Sequence, residues 1–150
     1  MDNLFTNAAR QHPHLLEMRQ SLYERRHEAL FIKDKVLQSH DNNLPATAIT
    51  ARGEVGHVHP DLSVHLYLSP ADARMLIEKR WAERHRLAVP EDGWLNLSKL
   101  RAIGSTYLMV YGPRDEEEME TLRVILEHSI RYMTGQDKVD EVQWEDVVHP

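Results

Sequence analysis

The pattern of apolar and polar positions changes period several times along the chain, and each change predicts an element. Residues 1–14 read as a loose lead-in. From Leu15 to Gln38 the residues Leu15, Met18, Leu22, Ala29, Ile32, Val36 and Leu37 recur at roughly helical spacing. Charges such as Glu17, Arg19, Glu24, Arg25, Arg26, Lys33 and Lys35 fill the gaps, which predicts one long helix with a solvated face. Ser39 to Pro45, with Asp41-Asn42-Asn43, breaks that helix, and β-prone Thr47 to Ile49 predicts a short strand or extended entry. Two alternating runs then flank Pro60-Asp61, so Arg52–His59 and Ser63–Leu68 predict a β-hairpin.

Ser69-Pro70-Ala71-Asp72 is a helix start, with Ser69 at the N-cap and Pro70 in the first helical position. The apolar stripe Ala73, Leu76, Ile77 and Trp81 carries this helix to about His85. A loop at Val89–Gly93 and a short amphipathic helix or lid at Trp94–Ile103 follow. Thr106–Tyr111 lacks a clean alternation and predicts a central strand. Asp115 caps a final helix whose buried stripe is Met119, Leu122, Ile125, Leu126, Ser129 and Met133, with Gly135 as its stop. The fold class expected is α+β: a small antiparallel sheet with a histidine-rich hairpin, packed against helices on one face. Residues 1–45 form a helical segment packing on the domain, 46–135 the core, and 136–150 an acidic tail anchored by Trp144 and otherwise mobile.

Composition narrows the chemistry. A chain of 150 residues with 41% hydrophobic and 28% charged positions suits one globular domain. There is no cysteine, which excludes thiol catalysis, disulfides and iron–sulfur ligation. A formal net charge of -6 argues against nucleic acid as a partner. No apolar run is long enough for a membrane span, and Met1-Asp2-Asn3-Leu4-Phe5 has no signal-peptide character, so a cytoplasmic location is expected.

The hairpin holds the candidate chemistry. Residues two apart on a strand share a face, so His57 and His59 point together, as do His65 and Tyr67. A loop at Asp61–Ser63 sets His59 opposite His65 and His57 opposite Tyr67, gathering three imidazoles and a phenol. A loop longer by one residue puts the pairs on opposite faces. Glu54 is out of phase with the histidines unless a bulge at Gly56 resets it. Three readings stay open: histidines satisfied within the hairpin, general bases, or metal ligands with Glu54 or Asp61 completing the set.

Two further groups are candidates for substrate binding. In Trp81-Ala82-Glu83-Arg84-His85, Trp81 offers a stacking surface and Arg84 a fixed positive fork, while the alternative places Trp81 in the core and the cations at a helix end. In Tyr111-Gly112-Pro113-Arg114, Arg114 either closes a pocket or pairs with Glu117 or Glu118.

The run Glu54, His57, His59, His65-Leu66, Lys79, Trp81, Arg84-His85 and Leu87-Ala88 resembles the luciferase domain of bioluminescent fungi and its non-luminous relatives. The resemblance continues through Tyr111, Pro113-Arg114, Glu116-Glu117-Glu118, Ser129-Ile130 and Tyr132-Met133-Thr134, covering about residues 50–135. Departures occur at Arg80 and Ala82, where the pattern has Gly, and at Arg86, where it has Pro. The resemblance implies oxygenation of a 3-hydroxy-α-pyrone such as 3-hydroxyhispidin, or of a related phenolic lactone. The small-molecule substrate reacts with dioxygen as co-substrate and without an organic cofactor. It implies His57, His59 or His65 as base, Arg84 or Arg114 for the oxyanion, and Tyr67, Trp81, His85 and Tyr111 around the substrate. His57, His59 and His65 remain candidate metal ligands. Alternatives are a binding or hydrolytic domain sharing the scaffold, and a protein-interaction module using the N-terminal segment and acidic tail.

Overall fold

Among the described residues, six antiparallel strands form one sheet in the order β1-β2-β3-β4-β6-β5. They are β1 (Leu16–Gln20), β2 (Glu28–Ile32), β3 (Glu54–Val58), β4 (Val64–Tyr67), β5 (Ala82–Arg84) and β6 (Tyr107–Val110). The helices among the described residues are α1 (Asp2–Gln11), α2 (Asp34–Leu37), α3 (Ala46–Thr50), α4 (Pro70–Glu78) and α5 (Glu116–Thr134). The structure is a computed structural model that describes residues 2–39, 43–86, 88 and 103–144. The expected loop and lid at 89–102 lie outside those residues, as does the middle of the Ser39–Pro45 turn.

The α+β class holds, and so does the hairpin. The long helix over Leu15–Gln38 does not form: that stretch makes β1, a loop, β2 and the one-turn α2. β2 lies between β1 and β3, and Ala29-Leu30-Phe31-Ile32 is buried at every position. A strand covered on both faces loses its alternation and reads as a continuous apolar run. β1 keeps period two, with Leu16 and Met18 against the core and Glu17 and Arg19 on the other face. Superposed, the two patterns mimic helical spacing.

Other departures have similarly local causes. The lead-in is the helix α1, held by Leu4, Phe5 and Ala8, each at most 2% exposed. Thr47–Ile49 is helical rather than extended: Pro45 opens the turn, Ala48 is buried, and Thr47 Oγ1 bonds Tyr132 Oη at 2.8 Å. The helix from Pro70 stops at Glu78 and does not reach His85. Arg80 adopts φ 63° while Trp81 N donates to Leu76 O and Arg80 N to Ile77 O, a Schellman closure that frees 82–84 to form an edge strand. The tail is docked through residue 144: Val142 is fully buried, Asn7 donates to Gln143 O, and Val142 N donates to Glu127.

The helix ends expected from sequence are present. Ser69 Oγ accepts from Asp72 N, the Asp115 carboxylate accepts from Glu118 N, and Gly135 ends α5 in the left-handed region. Helices α1 and α5 cover the sheet face that carries Leu30, Ile32, Val55, Val64, Leu66, Leu108 and Val110. The opposite face carries Ala29, His57, His65 and Met109 in one cross-strand row. No helix among the described residues is long and apolar enough to cross a membrane.

Candidate functional site

The hairpin loop is Pro60–Leu62, one position earlier at each end than expected. Leu62 takes φ 67°, its N–H bonds His59 O, and Asp61 Oδ1 accepts from both Ser63 N and Ser63 Oγ. His57 therefore faces His65, and His59 N–H bonds Ser63 O. Moving both loop ends together changes the partners and keeps the face, so the three imidazoles still gather. Their ring centroids lie 5.1 Å (His57–His59), 5.1 Å (His57–His65) and 4.3 Å (His59–His65) apart.

Close approach of β3 and β4 depends on Gly56. A Cβ there would lie 2.0 Å from His65 O. The bulge that brings Glu54 into phase is at Val55: Leu30 pairs with Gly56 and Phe31 with Glu54, so β3 spends an extra residue. Glu54, fully buried, then lies with Oε1 3.0 Å from His57 Nδ1. The same carboxylate accepts from Ser21 Oγ at 2.8 Å and from Leu22 N at 2.8 Å.

Ser21 extends this network into the β1–β2 loop. Its Oγ accepts from Tyr23 N at 3.2 Å and Glu24 N at 3.0 Å, fixing the turn. The Glu24 side chain consequently hangs over the histidines, with Oε1 3.3 Å from His59 Nε2, 3.6 Å from His57 Nε2 and 3.9 Å from His65 Nδ1. His27 stands outside this group, its ring 6.1 Å from His59 and its Nε2 3.7 Å from Glu24 Oε2.

Burial, with the neighbouring His57, His59 and His85, depresses the His65 imidazole to about 3. Burial also lowers His59, against an opposing pull from Glu24, and lowers His85. At neutral pH these three rings are uncharged, with lone pairs for a proton or a metal. His59 Nε2 is buried and has no hydrogen-bond partner. Tyr23, Tyr67 and Tyr107 form an aromatic wall beside them: Tyr23 and Tyr67 share a 2.9 Å hydroxyl contact, and Tyr107 packs 4.4 Å from Tyr67 and 5.1 Å from His65. Burial pushes the Tyr23 phenol up to about 12 and raises Tyr67 and Tyr107 as well.

Of the residues singled out in the sequence, His57, His59, His65, Tyr67 and His85 come together; the His85 ring lies edge-on to His65 at 4.6 Å. Arg84 does not join them. Its register places it in the row of Leu108 and Leu66, on the helix-covered face. There its guanidinium donates to Ser105 O and lines a cleft of about 600 Å³ with Thr47, Ile77 and Tyr132. Trp81, Tyr111 and Arg114 line another cleft of about 470 Å³, where Arg114 is paired with Glu118. Glu24 escaped the sequence reading because the helix expected there turned it into a surface charge. The signal available was the uninterrupted apolar run Ala29–Ile32, whose strand length makes the residues before it a hairpin loop.

A small α+β domain with a half-buried cluster of three histidines and one carboxylate is the class this architecture defines. The Luciferase domain family model matches residues 52–129 of the 150, and the chain belongs to that family. It is 30% identical over 128 residues to luciferases of Armillaria gallica and Armillaria mellea, covering 83% of this chain and 45% of each relative. It is 29% identical over 119 residues to the luciferase of Neonothopanus nambi, covering 77% and 42%. The chain thus spans less than half the length of these curated relatives. No solved structure matches it.

Proposed function

We propose that this chain is a luciferase-like oxygenase that adds dioxygen to a 3-hydroxy-α-pyrone, of the 3-hydroxyhispidin type, or to a related phenolic lactone. The single observation carrying this reading is the unpartnered lone pair of His59 Nε2 within the histidine face of a luciferase-family domain. That nitrogen takes the proton of the substrate's 3-hydroxyl, and the enolate formed gives electrons to dioxygen. Two new C–O bonds close a cyclic peroxide. Its O–O bond then breaks as one substrate carbon leaves as carbon dioxide, and the proton returns from His59. Substrate plus dioxygen balances product plus carbon dioxide, with one carbon fewer and the oxygen count unchanged.

Neutral His59 is suited to the proton transfer because burial disfavours its charged form at rest. Glu24, 3.3 Å away, offsets the charge that appears when the proton arrives. Tyr67 and Tyr107, packed on each other and closed to solvent, make a dry floor behind the histidines that shields a peroxide from water. Arg84 and Arg114 take no part in this assignment, since one faces the helices and the other is held by Glu118.

The test is oxygen uptake by the purified protein given 3-hydroxyhispidin, recorded with and without a chelator and with carbon dioxide release measured in parallel. Uptake matched by carbon dioxide supports the reading. Absence of uptake in both conditions removes it and leaves a scaffold shared with the luciferases.

A further inference from the structure

We propose that Glu24, His57, His59 and His65 form a binding site for one divalent late first-row transition-metal ion, with three imidazole nitrogens and a carboxylate oxygen as ligands. One donor atom from each residue lies within 4.8 Å of all the others. Glu24 Oε1 stands 3.3, 3.6 and 3.9 Å from the nitrogens of His59, His57 and His65, and His65 Nδ1 stands 3.3 Å from His57 Nε2. Ligand atoms held about 2.1 Å from a common ion in tetrahedral or octahedral geometry stand roughly 3.0–3.4 Å apart. Reaching those separations takes rotation of the imidazoles as well as of Glu24, whose carboxylate hangs from a loop and already stands 3.3–3.9 Å from the three nitrogens.

Hydrogen bonding behind the cluster prepares the lone pairs of His57 and His59, whereas His65 Nδ1 faces His57 Nε2 at 3.3 Å as its donor and gives up that proton when an ion is bound. The Ser63 hydroxyl proton is committed to Asp61 at 2.7 Å, so Ser63 Oγ accepts from His59 Nδ1–H at 3.3 Å. The bare nitrogen of His59 is then Nε2, the atom that is buried without a partner. His57 donates Nδ1–H to Glu54, a carboxylate that is itself held by Ser21 and Leu22, and presents bare Nε2 to the cluster. A carboxylate behind a ligating histidine is the usual device for fixing its tautomer and orientation. Imidazole-dominated donors select zinc, iron(II) or cobalt(II) over calcium and magnesium, which prefer oxygen. Four protein donors on a six-coordinate ion leave two positions for water or for two adjacent ligand oxygens.

This site shares His59 Nε2 with the proposed oxygenation centre, and one lone pair cannot hold an ion and take the substrate proton together, so the free-base role belongs to the ion-free chain; occupancy by the ion is measurable without any substrate. The full chain is stripped with EDTA and dipicolinate, then titrated with zinc or cobalt(II) near neutral pH by calorimetry and visible absorption. Expected are one ion per chain and cobalt d–d bands from a nitrogen-rich site. Glu24→Gln and His59→Ala each weaken binding by about 10–100-fold or more. His128→Ala, a histidine beside Asp72 and outside the cluster, leaves binding unchanged. Circular dichroism confirms that each variant is folded, and His59→Gln replaces His59→Ala if the latter unfolds. No stoichiometric ion overturns the proposal, as does binding that survives both cluster substitutions or falls with His128→Ala. A bound ion with no oxygen uptake by either the loaded or the stripped chain overturns the oxygenase reading alone; chelator-resistant uptake with no stoichiometric ion overturns this one alone.

Discussion

His57 Nδ1 lies 3.0 Å from Oε1 of Glu54, three residues earlier on the same strand. A regular strand sends residues an odd number apart to opposite faces. The contact exists because the bulge at Val55 adds a residue to β3, so one buried carboxylate both orients His57 and, through Ser21 Oγ, fixes the backbone of Glu24.

Glu54→Gln is expected to uncouple these two functions. The amide keeps the size but replaces one acceptor by a donor, leaving a buried donor among Ser21, Leu22 and His57 unpaired at about 1–3 kcal/mol. Urea denaturation measures that loss. Nitrogen-15 NMR of the imidazoles should show His57 populating its other tautomer. An unchanged His57 spectrum would show that Glu54 does not set it.

Gly56 and Gly104 make a contrasting pair. A Cβ on Gly56 would meet backbone His65 O at 2.0 Å, a contact that cannot be relieved by rotating a side chain. Gly56→Ala is expected to cost about 3 kcal/mol or more by forcing β3 and β4 apart. At Gly104 the nearest atoms are the Tyr67 ring at 3.2 Å and a Thr47 methyl at 3.3 Å, side chains that need move only a few tenths of an ångström. Gly104→Ala should therefore be much milder. Thermal melts of the two variants compare them directly, and equal effects contradict the register described for the hairpin.

How much of this was legible in the sequence follows from where each signal resides. The hairpin, the Ser69 and Asp115 caps and the α5 stripe depend on neighbours in sequence, and each is found, the hairpin with its loop one position earlier at each end than expected. The β1–β2 hairpin was hidden because β2 is buried at every position from Ala29 to Ile32 and has no alternation to read. Arg84 was misplaced for a different reason. Its side chain depends on the parity of an edge strand whose start is set by Arg80 entering the left-handed region, and arginine does not advertise that conformation as glycine would. Glu24 required both pieces at once, the hidden hairpin and a loop fixed by Ser21.

The N-terminus gives a direct measure of that hidden part. Phe5 is 2% exposed and packs in the core with Leu4 and Ala8, so Phe5→Ala is expected to cost about 3–5 kcal/mol. A loose lead-in would tolerate the change with no effect in chemical denaturation.

Three inward phenols make the fold sensitive to alkali. Burial raises Tyr23 to about 12 and also raises Tyr67 and Tyr107 above their ordinary value. Because the folded-state values exceed the unfolded value of about 10, the stabilisation associated with them is present below pH ~10 and is lost as pH rises through the folded values. Absorbance near 295 nm should show these phenols ionising together with loss of structure. Reversible ionisation of all the tyrosines in a folded chain near pH ~10 would contradict their burial.

The two arginines and the histidines separate the site from its sequence-level surroundings most sharply. If proton removal occurs on the histidine face, His59→Ala should lower the oxygenation rate by about 10²–10⁴-fold, the usual contribution of a positioned base. Arg84→Ala should leave the rate near that of the parent chain, because its guanidinium serves Ser105 O on the helix-covered face. Steady-state oxygen uptake on both folded variants is the measurement. A large loss with Arg84→Ala and none with His59→Ala would move the reacting centre to the cleft between α4 and α5, where Tyr132 and Thr47 are its other walls. Losses of similar size from both would require a substrate spanning the sheet, which β4 and β6, hydrogen-bonded between the two faces, do not allow.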